Sequence, residues 1–230
     1  MGGVTSELQA VFFDIGNTLL FPDLARILAP LDPPKVAVSR ERWHEIERVT
    51  KKKFDLIVEH GGQVDHGFWY LFYSQLLERL GERDSALRDA LVEATRISAN
   101  WCEMRPGTRQ ALERIAKDYP LGVISNADGR IARVIEDCGI ADCFHSITDS
   151  GVVGYEKPNP AIFQAALQSM GADAKGSLYV GDFYSVDYLG AIRAGMKAIL
   201  FDVSGAYRER DLPRVESLEQ LEATLRSRQC

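Results

Sequence analysis

The chain has 230 residues, a formal net charge of −6, 46% hydrophobic residues and 26% charged residues. That balance builds a core without disulfide or metal staples, and its overall acidity excludes a broad electrostatic footprint for nucleic acid. No apolar run approaches the roughly 20 residues of a membrane-spanning helix, so no membrane partner is expected.

The first apolar run, Ala10 to Phe13 (AVFF), reads as a buried strand that ends at Asp14, after which the chain breaks into Gly16, Asn17 and Thr18. From Pro22 to about Trp101 there is no good strand. A proline-containing entry (LAPLDPPK) leads to three helical patterns, near Ser39 to Glu59, His66 to Leu80 and Asp84 to Asn100. The middle one carries Phe68, Leu71, Phe72, Leu76 and Leu80 on one face. This helical stretch is far longer than an ordinary βα loop. Inserted after the first strand, it lies over the carboxyl edge of the sheet, where open α/β folds bind ligands.

Strand and helix then alternate. Leu121 to Ile124, the weaker run Phe144 to Thr148, Ser177 to Val180 and Ala198 to Phe201 read as further parallel strands. Helical patterns at Arg109 to Asp118, Arg130 to Cys138 and Pro160 to Met170 separate them. The last has Asn159 as N-cap, Pro160 at the first helical position and Gly171 as its stop. A final helix is expected over Glu216 to Arg226. The fold class is α/β: a Rossmann-like parallel sheet flanked by helices, with an inserted all-helical cap. The expected division is residues 1–21 as the first part of the core, 22–101 as the cap and 102–230 as the second part.

Chemistry-bearing residues fall at the strand ends: Asp14 after the first, Ser125 in VISNAD, Lys157 in GYEKPNP, and Asp182 and Asp187 in YVGDFYSVD. Singly, each reads as a helix cap, a turn former or a solvated lysine. Together they converge on one sheet edge beneath one cap. Clustered carboxylates repel, so such a site calls for a cation, and hard oxygen ligands suit Mg²⁺, which also binds substrate phosphate. Ser125 and nearby backbone N–H groups suit phosphate oxygens, Lys157 suits charge neutralisation, and a carboxylate so placed can attack phosphorus.

These motifs resemble those of the haloacid dehalogenase superfamily. FFDIGNTLL is similar to its first motif, VISN to its second, EKPNP to its third and VGDFYSVD to its fourth, in the family's order and strand context. The insertion resembles the helical C1-type cap. The resemblance implies that Asp14 is the nucleophile, that Ser125 binds the phosphoryl group and that Lys157 holds the charges together. It implies Mg²⁺ on Asp14, Asp182 and the carbonyl of Gly16, with Asp187 as ligand or supporting partner, and Thr18 and Asn126 shaping the phosphate pocket. The expected substrate is a small phosphorylated metabolite.

The sequence departs from the family pattern at Gly16, where phosphatases of this superfamily usually carry the Asp that serves as general acid and base. Glycine offers a carbonyl and no proton; general acid–base catalysis contributes about 10²–10⁴-fold. Three readings follow. One is a Mg²⁺-dependent phosphohydrolase that is slow or draws its proton from elsewhere, with His44, Asp23 and Asp65 as cap candidates. Another is a phosphate-binding or regulatory protein, against which the intact Asp14, Lys157 and Asp182 count. The third is carbon–halogen hydrolysis, against which Asp182 and Asp187 count.

Other features carry less. Phe68, Trp69, Tyr70, Phe72 and Tyr73 read as cap core, and Tyr184 as a residue near the pocket rim. Lys51 to Lys53 reads as a solvated helix face, and His60 and His66 show no metal spacing. Cys102, Cys138, Cys143 and Cys230 form no C-x-x-C pair or zinc pattern. They are expected as free thiols in a reducing cytoplasm, in keeping with the absence of an apolar leader in MGGVTSELQ.

Overall fold

The computed structural model describes residues 8–31, 38–60 and 67–227. Strand β1 (Ala10–Phe13) occupies an inner position of the sheet. The chain leaves it through β2 (Leu20–Pro22) and forms α1 (Leu24–Ile27), α2 (Arg40–Glu59), α3 (Phe68–Arg79) and α4 (Ser85–Arg96). It returns through β3 (Trp101–Met104), antiparallel to β2. Next come α5 (Thr108–Ile115), β4 (Leu121–Ser125), α6 (Ile131–Asp137), β5 (Ser146–Asp149) and α7 (Ser150–Val153). The chain ends with α8 (Pro160–Met170), β6 (Ser177–Gly181), α9 (Leu189–Arg193), β7 (Lys197–Phe201), β8 (Arg214–Val215) and α10 (Leu218–Ser227).

The main sheet has the order β5-β4-β1-β6-β7-β8, with every pairing parallel. The chain first builds outward from β1 through β4 and β5, then returns to build the other side through β6, β7 and β8. The order reverses around β1, and a ligand crevice opens at the carboxyl ends of the strands at such a point.

Period-2 alternation sends side chains to two apolar layers. Val11, Phe13, Leu121, Val123, Leu178 and Val180 pack with Leu112, Ile135 and Leu221 on one face. Ala10, Phe12, Ile124, Tyr179 and Ala198 pack with Ile162, Phe163 and Ala191 on the other. Burial on both faces explains why these strands read as continuous apolar runs. Helices α1 to α4 close around their own cluster, including Ile27, Trp43, Ile46, Phe72, Tyr73, Leu76 and Leu91. The α3 aromatics thus do what their spacing suggested, with Phe68, Trp69 and Tyr70 partly buried against that cluster.

Asn159 caps its helix as expected, accepting from Ala161 N at 3.0 Å. Ser39 Oγ likewise accepts from Arg42 N at 3.3 Å, and Asp84 from Ala86 N at 2.8 Å. Three local differences stand out. The short strands β2 and β3 form a two-stranded neck at the ends of a segment expected to be strand-free. The weak fifth run forms a strand only from Ser146, and β8 is added at the far edge. A three-residue or two-residue strand has too little pattern to be read locally; pairing defines it.

Candidate active site

Asp14 follows β1 and is held by the backbone of the next strand: its N–H donates to Val180 O at 2.8 Å. The turn after it is tight. Asn17 adopts the left-handed region at φ 56°, and its N–H closes on Leu20 O at 2.8 Å. Thr18 Oγ1 and Asn17 Oδ1 are buried without a hydrogen-bond partner among the described residues. Such atoms at the mouth of a turn suit a bound polar group.

Lys157 reaches this carboxylate from the segment before α8. Its buried Nζ donates to Asp14 Oδ1 at 2.6 Å, to Asp187 Oδ1 at 2.7 Å and to Tyr179 Oη at 2.7 Å. Tyr179 in turn donates to Ile124 O at 3.0 Å. The ammonium is thus fixed by all three of its donor positions. Asn126 acts on the same residue: its Oδ1 accepts from Lys157 N at 2.7 Å, and its Nδ2 donates to Lys157 O at 3.0 Å. Expected in the phosphate pocket, Asn126 has both ends of its amide engaged by the Lys157 backbone. Ser125 ends β4 as a buried residue on the same sheet edge.

Asp182 and Asp187 follow β6. A π-helical turn at Tyr184–Tyr188 folds Asp187 back against Gly181. A Cβ on Gly181 would stand 2.6 Å from Asp187 Cγ, so only glycine permits this approach. Asp187 Oδ2 accepts from Phe183 N at 2.9 Å, which leaves Asp187 engaged through both oxygens. Asp14, Asp182 and Asp187 each place an oxygen within 4.8 Å of the others.

The largest departure concerns Lys51, expected on a solvated face. It is 2% exposed, and its Nζ lies 2.6 Å from Glu47 Oε1 and 2.6 Å from Asp182 Oδ2. Four buried carboxylates, Asp14, Asp182, Asp187 and Glu47, therefore face two ammonium groups, an excess of two negative charges. This oxygen-rich, under-neutralised cluster fits a hard divalent cation.

The imbalance shows in the acidities. Burial pushes Asp14 up to about 6 although Lys157 opposes it, and burial pushes Asp182 up to about 8 against the pull of Lys51. Burial works against both lysine charges, yet Asp14 and Asp187 hold Lys157 above its usual range, as Asp182 and Glu47 do Lys51. Raised carboxyls favour folding in their protonated form. That contribution is complete below their ordinary value of 3.8 and is lost as pH rises through about 6 and about 8. With chelator present, the thermal midpoint is expected to fall between about pH 4 and about pH 8, the span from the ordinary carboxyl value to the higher of the two raised ones. Asp14→Asn should remove the lower part of that fall; an unchanged profile would argue against a buried titrating Asp14.

Gly16 borders an aromatic wall. A Cβ there would meet Trp101 Cζ3 at 3.5 Å, an ordinary contact. Trp101 lies against Trp69 with ring centroids 5.6 Å apart.

The remaining candidates fall elsewhere. Asp23 caps α1 and pairs with Arg26. His44 Nδ1 lies 3.2 Å from Glu47 Oε2, one residue removed from Lys51. His60 bonds within its own helix end, to Leu56 O at 2.7 Å. Tyr184 stacks on Tyr188 and under Arg210, with its N–H donating to Tyr207 Oη at 3.1 Å. Cys102, Cys138 and Cys143 are free thiols; Asp65, His66 and Cys230 lie outside the described residues. Tyr179 and Lys51 escaped sequence reading. Tyr179 left one faint signal, a phenol hydroxyl in the middle of a fully buried strand.

Fold and site define an α/β enzyme with a buried carboxylate at the end of its first strand, paired with a lysine and facing two further aspartates. The haloacid dehalogenase-like hydrolase family model matches residues 8–195. The chain belongs to that family of hydrolases. It is 33% identical to a glyceraldehyde 3-phosphate phosphatase of Methanothermobacter thermautotrophicus over 216 residues, covering 89% of this chain and 90% of the relative. It is 30% identical to the pyrimidine 5'-nucleotidase YjjG of Escherichia coli, covering 81% and 82%. The structure of the HAD-hydrolase YfnB from Bacillus subtilis, solved bound to magnesium, superposes with a TM-score of 0.67 at 17% identity, covering 95% of this chain and 99% of that one.

Proposed function

We propose that this chain is a Mg²⁺-dependent phosphohydrolase acting on a small phosphorylated metabolite through an aspartyl-phosphate on Asp14. The observation that carries the reading is the buried Asp14–Lys157 pair at 2.6 Å, with Asp182 and Asp187 gathered around it. Relatives named for triose-phosphate and nucleotide phosphatase activity supply the first substrate classes to try.

An Asp14 carboxylate oxygen attacks phosphorus; the bond to the substrate oxygen breaks, and that oxygen leaves with the electron pair and takes up a proton. Water then attacks the phosphorus of the aspartyl-phosphate, the bond from the Asp14 oxygen to phosphorus breaks, and the proton lost by water leaves with inorganic phosphate or to solvent as the Asp14 carboxylate is restored. Lys157 offsets charge on Asp14 and on the phosphoryl group throughout. Ser125, Thr18 and backbone N–H groups of the strand-end turns bind phosphoryl oxygens. Asp14, Asp182 and the Gly16 carbonyl would hold Mg²⁺, which supplies charge neutralisation for nucleophile and phosphate alike. Asp187, with both oxygens engaged, positions Lys157. Helices α1 to α4 act as a cap that encloses the substrate.

Gly16 makes the leaving group the sensitive variable. Acyl and aryl phosphates, whose leaving groups need no proton, are expected to react faster than alkyl phosphates. Gly16→Asp is expected to raise alkyl phosphate turnover by about 10²-fold, the low end of general acid–base catalysis; its Cβ would meet Trp101 at an ordinary contact distance. The test is a turnover panel with Mg²⁺ spanning leaving-group pKa, run on both proteins. A flat dependence in wild type, with a folded but unimproved variant, would show that another group delivers the proton. Phosphate-analogue binding without turnover on any substrate would favour a binding protein.

A further inference from the structure

Glu47, Lys51 and Asp55 succeed one another at four-residue spacing and form a single ridge along α2. All three are buried, at 2%, 2% and 0% exposure. The ridge lies on the loop after β6. Lys51 Nζ donates to the Asp182 carbonyl at 3.0 Å as well as to its carboxylate at 2.6 Å. One helical turn further along α2, Asp55 Oδ1 accepts from Ser185 N at 3.2 Å. Outer ion pairs flank the contact, Lys52 to Glu209 at 3.2 Å and Arg210 to Glu59 at 2.8 Å. Apolar residues would serve a purely packing role at least as well, since desolvating charges often costs more than their pairing returns.

We infer that Lys51 is a positioning residue: a tethered cation that holds Asp182 while no metal is bound and couples divalent-cation binding to release of α2 from the β6 loop. The inference rests on the metal-dependent reading proposed above. A divalent cation drawn to Asp182 meets an ammonium already on that carboxylate, and like charges at such range repel strongly in a buried site. The two cations are therefore mutually unfavourable. Coupling is reciprocal: a docked α2 weakens metal binding by the factor by which metal weakens docking. Glu47 makes release feasible. It lies on the same helix as Lys51, 2.6 Å away, so the ammonium keeps one carboxylate partner after leaving Asp182. Without Glu47, undocking would strand the ammonium.

Two measurements without substrate test this. Calorimetric titration with Mg²⁺ is expected to show about tenfold tighter binding to Lys51→Met than to wild type, within the usual range for coupled sites. Amide hydrogen exchange on wild type is expected to quicken in residues 47–55 and 182–188 when Mg²⁺ is added, and not to quicken in Lys51→Met. Equal Mg²⁺ affinities, or wild-type exchange in α2 that slows or stays unchanged with Mg²⁺, would overturn the latch and leave the metal reading standing. No Mg²⁺ binding to either protein would overturn both. Should Lys51→Met fold poorly, Lys51→Gln replaces it in the titration, and the wild-type exchange result is decisive alone.

Discussion

Asp14→Asn is expected to abolish turnover on every substrate, by about 10⁴-fold or more, as when other covalent nucleophiles are removed. The side chain keeps its shape and its Oδ1 can still accept from Lys157, which stands 2.6 Å from that oxygen in the wild type. It loses the charge and the nucleophilic oxygen. Folding should survive, because the neutral amide also relieves the repulsion between Asp14 and Asp187. Turnover with Mg²⁺ beside a circular dichroism melt separates these effects. A folded variant that retains more than a hundredth of wild-type turnover, a loss of less than about 2.7 kcal/mol of barrier stabilisation, would remove Asp14 from the nucleophile's place.

Lys157→Met is expected to damage both stability and activity. Methionine matches the stem of lysine and supplies no ammonium, so two buried carboxylates, Asp14 and Asp187, lose their shared partner. Breaking a buried ion pair from one side costs about 3–5 kcal/mol. Tyr179 also loses the donor at 2.7 Å from its hydroxyl. Denaturant unfolding should show this loss in chelator and a partial recovery with Mg²⁺, whose charge would offset part of the missing ammonium. Turnover should fall with or without Mg²⁺, since the lysine lies on the nucleophile itself. A variant as stable as wild type in chelator would mean that the cluster is already neutralised by protons.

Much of the architecture was legible locally. Ala10 to Phe13 and Ser177 to Val180 announce parallel strands because both sheet faces are buried, and their strand-end residues must then meet at one edge. Asp14 and Asp182 were found in this way. The neck strands were not, because Leu20–Pro22 and Trp101–Met104 are too short to show alternation and exist through their mutual pairing.

Lys51 marks the other limit. Three successive lysines on a helix belong in water unless something distant compensates their burial. For Lys51 that compensation is Asp182, 131 residues away along the chain; Lys52, its neighbour, stays exposed. Tyr179 and Asn126 follow the same logic, since their bonds to Lys157 span different crossovers of the sheet. The sequence by itself determined the longer strands and helices and assigned Asp14, Ser125, Lys157, Asp182 and Asp187 to one edge of the sheet, because periodicity and strand ends are local properties. The tertiary structure alone decided the Glu47–Lys51–Asp182 contact and the excess of carboxylate over ammonium, because the burial of a charge depends on the partners that distant segments bring to it.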